Sequence, residues 1–183
     1  LAFVVSISAD AVSYGEQAFH EMANMAREGG MPEPIIAGGI GLARAAARYA
    51  INGDWAAYQA VRNDALTQPW APLAAAFPAT AEDPKWHFWR ATGRFDPMVY
   101  WPIVNPPALI MLGENDEQNN VAVAETVHRL RFGFAQARKT NFTIAVIPGA
   151  GHDAGINSTP GQAAATIDRF LRAHRLCACT ESD

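Results

Sequence analysis

The sequence predicts an α/β protein whose sheet contains three parallel strands. Three short apolar runs rich in aliphatic side chains support this prediction, because they lack the strict alternation of half-exposed strands; they are Leu1 to Ile7, Ala108 to Gly113 and Asn141 to Ile147. A helical pattern follows each of the last two runs, and strand, helix, strand, helix is the order of a parallel sheet. At 183 residues, half of them hydrophobic, the chain is expected to form a single domain over residues 1–183.

Helices are expected after the first strand. Ser13 to Glu16 has the form of a capping box, and apolar side chains then recur at helical spacing until Gly29. An Ala-rich helical pattern runs from Ile35 to Ile51 and ends at Asn52-Gly53. Asp54 is placed to cap a further helix that continues to Leu66.

The composition changes after Leu66. The segment from Thr67 to Pro106 holds most of the prolines and four of the five tryptophans, which are Trp70, Trp86, Trp89 and Trp101. The distance between the first two strands is far longer than a crossover needs. We therefore expect residues 9–106 to form a helical cap-like insertion, whose aromatic side chains either line an apolar pocket or fill a core.

The last part of the chain predicts two more helices and a tail. Apolar positions at helical spacing indicate a helix from Val121 to Arg138, and Thr159 to Gln162 reads as a second capping box before a helix that ends near Leu176. Residues 177–183 are expected to be a flexible tail. Its two cysteines, Cys177 and Cys179, are too close for an unstrained disulfide, and no second ligand pair at zinc spacing is present, so no metal site is predicted.

Composition argues against several functional classes. The net charge is −4, and Lys and Arg form no cluster, so no nucleic-acid partner is expected. No apolar run approaches the ~20 residues of a membrane span, and no signal peptide opens the sequence. We expect a soluble, cytoplasmic protein that requires no cofactor.

Two titratable side chains follow predicted strands. Asp116 lies in Gly-Glu-Asn-Asp directly after the second strand, and His152 lies in Gly-Ala-Gly-His after the third. Open α/β sheets place their chemistry at the carboxyl ends of their strands. A carboxylate that orients an imidazole makes it an effective general base near neutral pH, so Asp116 and His152 are the candidate catalytic residues. Glu114, Glu117 and Asp153 flank them and are interpreted as solvated loop carboxylates.

The segments Pro107 to Asp116 and Ile147 to His152 resemble the C-terminal part of the α/β-hydrolase family of serine hydrolases. The resemblance implies that the three strands are the sixth to eighth of that family's sheet and that residues 9–106 occupy the position of its cap. It further implies Asp116 as the triad acid, His152 as the base, and an ester, amide or similar acyl substrate.

The family's nucleophile is missing. No Gly-x-Ser-x-Gly occurs in the 183 residues, and Ser6, Ser8 and Ser158 lack the Gly-flanked turn that exposes a nucleophilic hydroxyl. The chain alone is therefore expected to be inactive. Leu1 to Ile7 would present an unpaired edge, to which either a missing N-terminal half or a second copy in a homodimer would bind. The alternative is a non-catalytic, truncated α/β protein that binds a small ligand or a protein partner.

Overall fold

The structure, a computed structural model, describes residues 2–175 of the chain. It divides into two compact units. The α/β unit consists of the segment up to Val12 and the segment from Pro97 onward, and the helical unit is Ser13–Asp96. The helical unit falls inside the predicted insertion of residues 9–106, whose role as a cap stays a prediction. The predicted tail and both cysteines lie outside the described residues.

A parallel sheet of three strands forms the centre of the α/β unit. Its strands are β1 (Val4–Ile7), β2 (Ala108–Gly113) and β3 (Phe142–Ile147), in the order β1-β2-β3. This confirms the predicted α/β fold with three parallel strands and flanking helices. Ile7 pairs with Met111 and Gly113 with Ile147, so the carboxyl ends of all three strands lie at the same end of the sheet.

Strand β2 is buried along its whole length because helices cover both faces of the sheet. Leu109 and Met111 point to one face and join a cluster with Phe170 of α7 (Pro160–Ala173). Ile110 points to the other face and packs with Leu130 of α6 (Val123–Gln136). The continuous apolar run of β2 thus reflects two-sided burial rather than alternation with solvent.

The helical unit contains five helices, which are α1 (Tyr14–Glu28), α2 (Glu33–Asn52), α3 (Trp55–Ala65), α4 (Ala71–Ala75) and α5 (Lys85–Thr92). Ser13 and Glu16 form the predicted capping box at the start of α1. Gly53 ends α2 with a positive φ of 79°, and the Asp54 carboxylate caps α3 by accepting from the Ala57 amide at 3.1 Å. At the two ends of the unit, the Tyr14 amide donates to the Phe95 carbonyl at 3.3 Å.

Aromatic side chains fill the core of the helical unit. Trp86 and Tyr58 are fully buried, and the Tyr49 ring lies edge-on to Trp86 at a centroid distance of 4.6 Å. Trp70 lies so close to Gly38 that a Cβ there would overlap its ring. Trp101 belongs to the α/β unit, where it packs beside Phe134. The aromatic side chains were predicted either to line an apolar pocket or to fill a core, and the buried rings fill a core.

One local prediction is wrong. Thr159 stands at the N-terminus of α7, but its side chain makes no capping hydrogen bond, so the second capping box does not form. Its hydroxyl lies against Gly155 and is buried without a hydrogen-bond partner among the described residues. The helix begins because Pro160 favours the first turn, not because Thr159 caps it.

Candidate functional site

Asp116 lies at the carboxyl end of the central strand. The chain leaves β2 at Gly113 and makes a 3₁₀ turn over Glu114–Gln118, which places Asp116 in the protein interior with no exposed surface. One carboxylate oxygen, Oδ1, accepts from the Asn120 amide at 3.4 Å. The other, Oδ2, lies 2.9 Å from Nδ1 of His152. The acid and base that the sequence predicts are therefore brought together by the fold.

The loop that carries His152 is held against the loop that carries Asp116. The Asn115 amide donates to the Ala150 carbonyl at 2.9 Å, and its side-chain amide donates to the Gly149 carbonyl at 3.0 Å. Gly149 in turn donates its amide to the Glu114 carboxylate at 3.0 Å. Three hydrogen bonds thus fix the spacing of the two loops.

Gly113 allows the two loops to approach. A Cβ at this position would collide with the carbonyl oxygens of Ala150 and Gly151. The backbone of Gly113 is extended, with φ of −89°, so any residue could adopt its conformation. Glycine is needed here for close approach, not for backbone freedom.

The two partners differ in exposure, and this difference suits acid-base chemistry. The Asp116 side chain is fully buried, whereas 60% of the His152 side chain is exposed. A carboxylate at Nδ1 favours the tautomer that carries its proton there, which leaves a basic electron pair on Nε2. The pair can therefore accept a proton from a group that reaches His152 from solvent.

Ser8 is a site residue that the sequence did not predict in this role. It directly follows β1 and has a positive φ of 50°. Its hydroxyl donates to the backbone carbonyl of His152 at 2.5 Å, and its amide donates to the Met111 carbonyl at 2.8 Å. Ser8 thus ties the end of β1 to the His152 loop. The sequence indicates only that a serine stands at a strand end.

Asp10 is the second residue that the sequence missed. Burial raises the pKa of its carboxyl group above the ordinary value, the positive charge on His152 opposes that rise, and Asp116 adds to it. Its Oδ1 is buried and has no hydrogen-bond partner among the described residues. Asp10 therefore belongs electrostatically to the Asp116–His152 site.

The flanking loop carboxylates, interpreted from the sequence as solvated, also bond to backbone amides. Glu114 accepts from Gly149, as described, and Glu117 accepts from the Ala124 amide at 2.6 Å. Asp153 accepts from the amides of Gly155, Asn157 and Ser158 at 2.9, 2.8 and 3.0 Å. These hydrogen bonds lower the pKa of Asp153 to about 2. Within residues 2–175, Asp116 is the carboxylate that bonds to the His152 ring.

The other serines that were considered as nucleophiles can be placed as well. The Ser158 hydroxyl donates to Asp153 at 3.1 Å, and Ser6 lies within β1.

In the part of the chain that the structure describes, no three His, Cys, Asp or Glu side chains are grouped to hold a metal ion. Over the same residues, no helix has the length and apolar character needed to cross a bilayer.

The chain was compared with protein-family models, with curated proteins and with solved structures, and no match was found among any of them.

Proposed function

We propose that this chain provides the acid and the base of an α/β-hydrolase-like serine hydrolase that acts on an ester, an amide or a similar acyl substrate. The single observation that carries the proposal is the 2.9 Å hydrogen-bonding distance between Nδ1 of His152 and Oδ2 of the fully buried Asp116. The sequence motifs around both residues, which resemble that family, support the same assignment.

In this proposal His152 is the general base. Its Nε2 takes the proton of a serine hydroxyl as that oxygen attacks the acyl carbon, and later returns the proton to the leaving group. Asp116 holds the imidazole in the required tautomer and stabilises the imidazolium that forms. Because Asp116 is buried, water does not compete for its hydrogen bond to Nδ1.

The serine and the oxyanion hole would come from outside these 183 residues, since the sequence contains no Gly-x-Ser-x-Gly. Strand β1 is at the edge of the described sheet, and its outer backbone groups have no strand partner there. Such an edge can pair with a further strand. We therefore place the missing half, or a second copy of the chain in a homodimer, against β1.

Reconstitution of activity tests the proposal. The chain would be co-expressed with the polypeptide encoded immediately upstream, and p-nitrophenyl acetate hydrolysis measured for the pair and for the chain alone. We expect activity from the pair only, with kcat lowered about 10⁴-fold or more by Asp116→Asn or His152→Gln. His128→Gln, on α6, is the matched control and should leave kcat unchanged.

An inactive pair, or an active pair that His152→Gln leaves unimpaired, would refute the assignment. A fluorophosphonate probe gives a second measurement, because it reacts only with an activated nucleophile. Labelling of the isolated chain would show that its own residues supply the nucleophile.

We do not favour a ligand-binding protein with an aromatic pocket, because Trp86 and Tyr58 are enclosed in a core.

A further inference from the structure

We propose that Asp10 is a second carboxylate of the Asp116–His152 site, whose negative charge balances the positive charge that the His152 imidazole carries when it accepts a proton. In this role Asp10 acts through His152 and touches no substrate. The inference rests on the proposed function for its catalytic meaning. Its test measures proton binding in the chain alone, so it can fail while the hydrolase proposal stands, and the reverse is equally possible.

The path of the backbone brings Asp10 to the site. Ser8 extends the pairing of β1 with β2 by one residue, through the hydrogen bond from its amide to Met111. The chain therefore leaves β1 at the same end of the sheet as the loop after β2, which carries Asp116. The Ser8 hydroxyl then contacts the backbone of His152 at 2.5 Å, and Asp10 follows two residues later.

Asp10 is held in place by its neighbours. The indole nitrogen of Trp101 donates to the Asp10 carbonyl at 3.3 Å. The next residue, Ala11, is fully buried and donates its amide to the hydroxyl of the buried Thr126 at 3.3 Å. The peptide bond that joins Asp10 to Ala11 is thus anchored within the α/β unit.

The charges around Asp10 explain what it can do. Its Oδ1 is buried without a hydrogen-bond partner among the described residues, and an ionised carboxylate in such a place is costly unless a positive charge compensates it. The titratable groups that act on it are His152, from the loop after β3, and Asp116, from the loop after β2. Among these, only His152 can be positive.

The interaction works in both directions. The attraction between the Asp10 carboxylate and a positively charged His152 is mutual. When His152 accepts a proton at Nε2, its positive charge is then balanced by two carboxylates. Asp116 does this through a hydrogen bond to Nδ1, and Asp10 through its charge alone.

The test is an NMR titration of the Asp10 side-chain carboxyl carbon in the full 183-residue chain. We expect its pKa to lie above the ordinary Asp value of about 3.9. His152→Gln removes the compensating charge and should raise the pKa of Asp10 further. Asp116→Asn removes a like charge and should lower it. His128→Gln, on α6, is the control and should leave it unchanged.

A titration of Asp10 that neither His152→Gln nor Asp116→Asn shifts beyond the His128→Gln control would overturn the inference. Should Asp116→Asn fail to fold, because it alters a buried group, His152→Gln decides alone. That variant changes a mostly exposed side chain and is expected to stay folded.

Discussion

The helical unit encloses its aromatic rings, whereas the α/β unit leaves its distinctive side chains at the end of a sheet. Trp86 has no exposed surface, and its ring is surrounded by other aromatic rings. His152, in contrast, is paired on one side with a buried carboxylate and is mostly exposed. The first arrangement supplies free energy of folding, and the second holds chemical groups at defined distances.

The comparison separates side chains that pack from side chains that are placed to react. Four tryptophans in one segment are conspicuous in the sequence, yet Trp86 is buried in the aromatic core, and Trp70 and Trp89 are partly buried against it. The chemically informative residues are single polar side chains at strand ends, whose neighbours come from distant parts of the chain. Substitutions in the two units should accordingly differ in size and in what they affect.

The largest expected effect is in the aromatic core. Trp86→Ala removes a fully buried ring and the hydrogen bond from its indole nitrogen to the Thr80 carbonyl at 2.8 Å. We expect the free energy of unfolding to fall by about 3–5 kcal/mol, measured by urea denaturation followed by circular dichroism. Phe88→Ala, in the same helix but 53% exposed, is the control and should cost less than about 1 kcal/mol. Equal losses would contradict the enclosed core.

A smaller loss is expected where the two site loops meet. Gly113→Ala places a methyl group against the carbonyl oxygens of Ala150 and Gly151, and we expect a loss of about 1–3 kcal/mol in urea denaturation. Gly151→Ala is the matched control, because no atom lies within 4 Å of the added Cβ. Its loss should stay within about 0.5 kcal/mol. If both variants are equally stable, the close approach of the loops is not as described.

Ser8 separates backbone strain from hydrogen bonding. Ser8→Ala removes the hydroxyl bonded to His152 but keeps a Cβ at positive φ, and should cost about 1 kcal/mol. Ser8→Gly also removes the hydroxyl, yet it relieves the positive φ and should be about 0.5 kcal/mol more stable than Ser8→Ala. Thermal unfolding of both variants would measure the difference. An alanine variant that is the more stable of the two would rule out strain at Ser8.

The smallest effect concerns Asp153 and appears only in acid. The pKa of Asp153 is about 2, which is below the ordinary Asp value of about 3.9. Its hydrogen bonds therefore contribute their full stabilisation at pH values above about 3.9. That contribution is lost as the pH falls through about 2. The stability difference between wild type and Asp153→Asn should therefore be constant from pH 5 to 8 and shrink from about pH 4 downward. Urea denaturation at pH 6, 4 and 3 would measure it, and a difference independent of pH would contradict it.

Much of the fold could be predicted because burial on both faces leaves a direct mark on composition. The run Ala108 to Gly113 is apolar throughout and matches β2 residue for residue. Capping at Ser13 and Asp54 is also local, since donor and acceptor are three residues apart. The Thr159 prediction failed because the Thr159 hydroxyl lies against Gly155, in the turn before α7, and does not accept from an amide of the helix.

The candidate site likewise contains residues that could be predicted from the sequence and residues that could not. Asp116 and His152 could be chosen as candidate catalytic residues because each follows a predicted strand, and the carboxyl ends of parallel strands lie at the same end of the sheet. Ser8 and Asp10 could not, because their roles depend on His152, which is 144 residues from Ser8 in the chain. The burial that raises the pKa of Asp10 likewise arises from packing that no short segment encodes.

The hydrogen bond from Tyr14 to Phe95 means that the helical unit begins and ends at adjacent points. A segment with adjoining ends can be lengthened, exchanged for another or deleted by joining two neighbouring residues, and the order of the strands is the same in each case. Replacement of residues 13–96 would therefore leave Asp116 and His152, which lie outside the helical unit, in the chain.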